Sequence, residues 1–467
     1  MPDTGKLYYL QPQVRSRIAE YCGATGGDPA TCTAEFLVGN GHTTHGLGIP
    51  DRRHVAPPSR LYDLLGQGTD IFRSLWDRRS VLAVLDLDYA NADFADEAFE
   101  HPQRCFAKLE PAYQIICSEL REWGIESLCI MTGQGYHFVW RIADAGPIAG
   151  QLKSLSQLHP SLKAKYLHDH PFTARLVPLS KGQTHAGMGL LLEYLVHRII
   201  RRSGDASVLP VVATDLVVGS RGNGREVASL DLSAHGDPLY MRYIRCAFSL
   251  YHKPRKPQLR LVPIPRRTEL WDKLLQVRGE PMAAAELAQG TDSSIPESSH
   301  GTGRLLHSYL GSKLRAFHEY FEAGTHAPPH QWPTGYDRLH LAGLPPCVAL
   351  PLGHPNPALL KPTNIQNVAR VLTSQRWHPR SVAGLIRSKY ERDFGWGEAW
   401  LNYDAAARCD FYVRLFCGLI AGEMDDLRDM NCVSHQERGF CPRPWCGHNL
   451  ADYRQRLEKA PWLQAGH

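Results

Sequence analysis

Asp86 and Asp88 stand two residues apart at the end of the apolar run Val81-Leu82-Ala83-Val84-Leu85. A run this rich in Val and Leu reads as a buried central strand. Side chains two apart on a strand share a face, so both carboxylates leave the strand's end together. Two like charges that close repel unless something positive lies between them. A divalent cation answers that need, because Mg²⁺ takes carboxylate oxygens together with substrate phosphates. The same pair also fits the opening of a polar loop, and the run alone does not separate the two.

Three further stretches carry chemistry. Ser127–Thr132 and Tyr136–Ile142 flank Gly133-Gln134-Gly135 and read as a β-hairpin. His137 shares a face with Val139 and Arg141. A lone histidine among aromatics is commonly structural, but this one adjoins two glycines whose amides could approach a phosphate. Acids recur on two later strand candidates, Asp215 within Val208–Val218 and Asp231 within Val227–Leu232. Tyr240–Lys253, read as extended, places Arg245 and Ser249 on one face, fit to grip a triphosphate; an amphipathic strand with exposed bases is the plainer alternative.

Twelve cysteines divide unequally. Cys22, Cys32, Cys105, Cys117, Cys129, Cys246, Cys409 and Cys417 sit singly, mostly among apolar or aromatic neighbours, as small core residues do. Cys347 follows two prolines, whereas Cys432, Cys441 and Cys446 form C-x8-C-x4-C in a loop-like stretch. Cys409 and Cys417, on an apparent helix, are possible substitutes in that set.

The elements that must position these groups come from patterning. At 467 residues, with 43% hydrophobic and 21% charged residues, the chain is a globular protein of two or three domains. A net charge of +5 permits a nucleic-acid partner without demanding one. The first residues lack a signal-peptide layout, and no apolar stretch is long enough to span a bilayer, so a cytoplasmic location without membrane contact is expected. Helical patterns cover Ile71–Arg78, Ala92–Trp123 (interrupted at Pro102 and Pro111), Ile148–Leu158 and Gly187–Arg202. Lys253–Arg267 holds six basic residues, four prolines and no acid, and reads as the start of a basic linker over residues 256–300. Beyond it, Leu305, Leu306, Tyr309, Leu310, Leu314, Phe317 and Phe321 recur at helical spacing and are core.

Asp86-Leu87-Asp88, the turn Thr132-Gly133-Gln134-Gly135-Tyr136-His137, and Arg245 to Lys253 resemble, in order, three signatures of the archaeo-eukaryotic primase superfamily. The C-terminal cysteines resemble the iron-sulfur domain of primase large subunits. The resemblance implies an α/β (α+β) catalytic domain with a small mixed sheet over residues 1–255. It also implies a mainly α-helical iron-sulfur domain over residues 301–467. Asp86, Asp88 and a third acid, Asp231 or alternatively Asp215, would hold two Mg²⁺ or Mn²⁺ ions. Thr132, Gly133, Gln134, Gly135, His137, Arg245, Ser249 and Lys253 would bind the nucleoside triphosphate. Gln134 departs from the Arg of many members, which weakens or reroutes one phosphate contact. Cys347, Cys432, Cys441 and Cys446 would hold a [4Fe-4S] cluster, although Zn²⁺ also accepts four cysteines, or three with His448. The implied function is a DNA primase or primase-polymerase making short primers on single-stranded DNA, with a helicase or replicative polymerase as a candidate partner. An Asp-x-Asp glycosyltransferase and a catalytically inactive nucleic-acid-binding protein of the same fold are the competing readings.

Overall fold

The computed structural model describes residues 4–41, 52–170, 173–204, 206–214, 225–253, 256–264, 271–353, 359, 361–391, 404–425 and 427–459. Asp215 lies outside them. The fold is mixed α/β, with strands confined to residues before 264 and helices alone thereafter among the described residues.

The strands are β1 (Leu37–Gly41), β2 (Arg52–Ala56), β3 (Asp70–Ser74), β4 (Trp76–Asp77), β5 (Ser80–Asn91), β6 (Leu128–Met131), β7 (Gly135–Ala143), β8 (Val211–Ala213), β9 (Glu226–Asp231), β10 (Tyr243–Arg245), β11 (Leu250–Tyr251), β12 (Leu259–Arg260) and β13 (Val262–Pro263). The large sheet runs β13-β6-β7-β5-β9-β8, with β4 also paired to β5. All of these pairs are antiparallel except β8 with β9. A second sheet runs β10-β3-β1-β2.

β5 is central because its apolar half is buried throughout, from Val81 to Leu85. Its register with β7 pairs Leu85 with Phe138 and Leu87 with Tyr136. Tyr113, on the helix Pro102–Trp123, packs on both of those aromatic rings. The apolar face is therefore covered by a helix, and alternation turns Asp86, Asp88 and His137 to the other face. The long helix Leu179–Ser203 also packs against β5.

Several expected elements are redrawn. Ile71–Arg78 is not helical: it forms β3 and β4, where Arg73, buried, is paired with Asp77. After the short helix Glu97–Glu100, Pro102 opens the helix Pro102–Trp123 at the first helical position, where its missing N–H has no partner anyway, and the helix continues through the interior Pro111. Gly124, at φ +69°, ends it. Tyr240–Lys253 is not one extended run either. Phe248 sits at φ +59°, a left-handed turn that separates β10 from β11.

Among the described residues, the stretch expected as a basic linker, 256–300, is folded onto the strand-bearing half. β12 pairs with β11 and β13 with β6, and the helix Pro281–Gly290 packs against Pro12–Tyr21. Pro263 lies in the edge strand β13 and Pro281 starts its helix. Arg278 shows what this docking achieves. It is 2% exposed, stacks on Phe106 at 4.5 Å, and donates to the carbonyls of Thr132 (2.7 Å) and Gly133 (3.0 Å). Arg278→Ala strands both buried carbonyls, so a loss of about 2–4 kcal/mol is expected. A lowered urea midpoint at unchanged m-value would report it; an unchanged midpoint would show that the turn holds without this residue.

Candidate functional site

The acids and the histidine meet by register. Asp86 on β5 lies directly opposite His137 on β7 and directly opposite Asp231 on β9. Asp88 pairs with Gly135 on one side and Ser229 on the other. Three neighbouring strands thus deliver Asp231, Asp86 and His137 in one row across the sheet, with Asp88 one step along.

His137 Nε2 stands 3.6 Å from Asp86 Oδ1, the side chains being 13% and 29% exposed. Asp86 Oδ1 and His137 Nδ1 are buried without a hydrogen-bond partner. Asp231 is braced instead: Ser233 donates to it from N–H (2.8 Å) and from Oγ (2.8 Å), and Thr214 Oγ1 donates at 3.3 Å.

Burial, then the neighbouring Asp231, pushes the Asp86 carboxyl up to about 8; burial, then Asp86, does the same to Asp88. Burial takes His137 down to about 4 despite the attraction of Asp88. A neutral imidazole therefore faces carboxylates that resist ionisation together, the electrostatic signature of a site short of positive charge. The partnerless Asp86 oxygen fits a hard cation. Among the described residues no three His, Cys, Asp or Glu side chains close on one ion position.

The cations come from beyond β9. Arg245, at the end of β10, and Lys253 both act electrostatically on Asp86. Arg245 is sandwiched between Phe72 (4.6 Å) and Tyr251 (4.3 Å) and donates to Asp70 at 3.1 Å. Lys253 lies over Tyr251 and Phe99, each at 5.5 Å, and donates to the Gln134 side chain. Gln134 thus anchors a lysine here.

The turn is built differently from expectation. The amides of Gln134 (3.3 Å) and Gly135 (3.0 Å) donate to Thr132 Oγ1, so they are engaged within the turn. The glycines serve close packing: a Cβ on Gly133 would come within 2.4 Å of the Tyr251 ring, and one on Gly135 within 1.8 Å of the Leu87 carbonyl. Ser249 is not brought to the site. It is fully buried, accepting from the Ile71 amide (2.7 Å) and donating to the Leu250 carbonyl (3.0 Å), because the Phe248 turn rotates it away from Arg245.

Asp70 and Tyr251 were not singled out from the sequence. Asp70 is fully buried and accepts from both Arg245 and the His252 amide (3.0 Å). An isolated acid 175 residues from its partner carries no local pattern that could have revealed it.

A second constellation lies in the helical half. Cys347, Cys432, Cys441 and Cys446 line one small cavity of about 20 Å³, together with His435 and His448. Cys347 stands in the first turn of the helix Pro346–Gly353, and Cys432 opens Cys432–Glu437. Cys432 and Cys446 thiols face the same carbonyl, that of His448, at 3.8 and 4.0 Å. Gly447, at φ +85°, lets the chain turn back beside Cys446. Burial raises the Cys347 thiol to about 11, with Cys441 and Cys432 adding to the effect. Below the cavity, Arg370 bonds Asp425 and Asp429, and Arg438 donates to Asp429 at 3.1 Å, bracing the Cys432 helix. Cys409 and Cys417 are buried in the helix Ala405–Ala421 and do not line the cavity.

No family model matches this chain, and no curated protein matches it either. No helix among the described residues is long and apolar enough to cross a membrane.

Proposed function

We propose that this chain is a template-dependent nucleotidyltransferase of the archaeo-eukaryotic primase type, synthesising short primers on single-stranded DNA. The observation that carries the reading is the row Asp231–Asp86–His137 across three adjacent strands, with Arg245 and Lys253 acting on the same carboxylates. Asp86, Asp88 and Asp231 would hold Mg²⁺ or Mn²⁺. Bound there, such ions would activate the primer hydroxyl and neutralise the triphosphate.

The protein's own groups do the rest. Ser233 and Thr214 fix the Asp231 carboxylate in one orientation. Neutral His137 offers one N–H to a phosphate oxygen. Arg245, held by Asp70 and two aromatic rings, presents its charge as pyrophosphate departs. Thr132 shapes the turn, and Gln134 steers Lys253 toward Asp88.

Cys347, Cys432, Cys441 and Cys446, which line one cavity, would hold a [4Fe-4S] cluster, with a Zn²⁺ ion as the alternative. Template DNA and nucleoside triphosphates are then the partners, with salt-sensitive DNA binding.

Unprimed single-stranded DNA, labelled nucleotides and Mn²⁺ should yield short labelled products with the wild type and none with the Asp86→Ala, Asp88→Ala double variant. Products from both would remove the proposed site. DNA binding with no incorporation would favour an inactive scaffold, and sugar transfer from a sugar nucleotide would favour a glycosyltransferase.

A further inference from the structure

A second, larger cavity lies at the opposite end of β5 from the acid row. It measures about 380 Å³, within the range of small-ligand pockets. Arg78, in the turn between β4 and β5, and Arg175 both line it. Asp86 is six residues along β5 from Ser80, about 20 Å at the rise of a strand.

One wall is apolar and preformed. Cys32, Ala34 and Phe36 are each 1% exposed, and the Phe36 ring is fixed by His170, stacked at 5.3 Å, and by Trp76, edge-on at 5.3 Å. Pro58, also buried, lines the cavity from the segment after β2. The rim is held by the same histidine. The Thr173 N–H donates to His170 Nδ1 at 3.2 Å, so Nε2 carries the ring proton and donates it to the Tyr240 carbonyl. Ala174 then takes a left-handed backbone, φ +49°, uncommon for a residue with a side chain, before Arg175 reaches the cavity. Arg78 and Arg175 are exposed, and neither makes a side-chain hydrogen bond or ion pair with a described residue. Against them stands one acid on the lining, the half-buried Glu35.

We propose that this cavity binds a nucleoside monophosphate, apart from the acid row. Two unpaired guanidiniums against one carboxylate leave a net positive rim, which suits a phosphate. The buried wall of Phe36, Ala34 and Pro58 takes the flat, largely apolar base. Glu35 accepts from a ribose hydroxyl or a base amino group, donors that a simple phosphate does not offer in that place. A nucleoside monophosphate carries all of these features in one molecule of pocket size. The site does not rest on the nucleotidyl-transfer reading, and its test separates the two.

The full chain is dialysed to equilibrium against each of the four labelled ribonucleoside monophosphates, in EDTA so that the acid row holds no metal. Saturable binding of at least one of them is expected, unchanged by Asp86→Asn with Asp88→Asn and weakened about tenfold or more by Arg78→Ser with Arg175→Ser. Inorganic phosphate should compete about tenfold less well or worse, because it leaves Glu35 and the apolar wall unfilled. The matching azido-nucleotide, crosslinked to the wild type, should label peptides containing residues 29–36, 56–59 or 173–175, a readout that needs no variant to fold. No saturable binding, binding lost in the aspartate variant but kept in the arginine variant, equal competition by inorganic phosphate, or label confined to residues 251–253 would each overturn the proposal.

Discussion

Asp86→Asn is expected to lower nucleotide incorporation on the order of 10³-fold or more while making the metal-free protein more stable. The two effects have one cause. Asp86 is pressed between Asp231 and Asp88, with one carboxylate oxygen buried and without a partner. The substitution removes a carboxyl that burial and Asp231 hold against ionisation, and it would remove a ligand from the metal-bound site.

The pH dependence follows in sign. A carboxyl raised from 3.8 to about 8 binds its proton more tightly in the folded chain, so stability falls as pH climbs through that window. His137 acts oppositely, but only between about 4 and 6.5, where the unfolded chain binds the extra proton. Between pH 6.5 and 8 the acids act without it. Metal-free wild type should therefore lose melting temperature across that interval, and Asp86→Asn should flatten the slope, Asp88 included. Saturating Mn²⁺ should raise the melting temperature of the wild type most at the alkaline end. A slope unchanged by the substitution would mean that Asp86 is not raised in the folded chain.

Serine at any one of Cys347, Cys432, Cys441 or Cys446 is expected to strip the protein of its iron. Anaerobically purified wild type should be brown, with about four irons per chain, and each variant should be paler. Each should also unfold more readily in its helical half, because the free energy of cluster binding is part of folding. Cys409→Ser and Cys417→Ser, away from the cavity, should stay brown. A colourless wild type with stoichiometric zinc would contradict the cluster assignment.

What was legible in the sequence had a local period or spacing. Asp86 and Asp88 at the end of an apolar run, the hairpin around Gly133 and Gly135, and the cysteine spacing are patterns of a few residues each. The structure brings Asp231, Asp86 and His137 into one row with Asp88 one step along, and the four cysteines around one cavity. The supports were hidden because they act across the fold. Arg278 looked like linker charge, yet it holds a turn about 145 residues earlier in the chain. Asp70 stands alone, outside the stretches whose spacing suggests chemistry, yet it fixes Arg245. Ser249 was misjudged because alternation assumes a straight strand, and a single left-handed residue, Phe248, cancels it.

The most direct test of a shared cation site is to count bound Mn²⁺ by electron paramagnetic resonance, with a non-hydrolysable nucleoside triphosphate present. Wild type should hold two ions per chain, Asp231→Asn fewer, and Asp86→Asn with Asp88→Asn none beyond those carried by free nucleotide. Undiminished Mn²⁺ in the double variant would contradict the account.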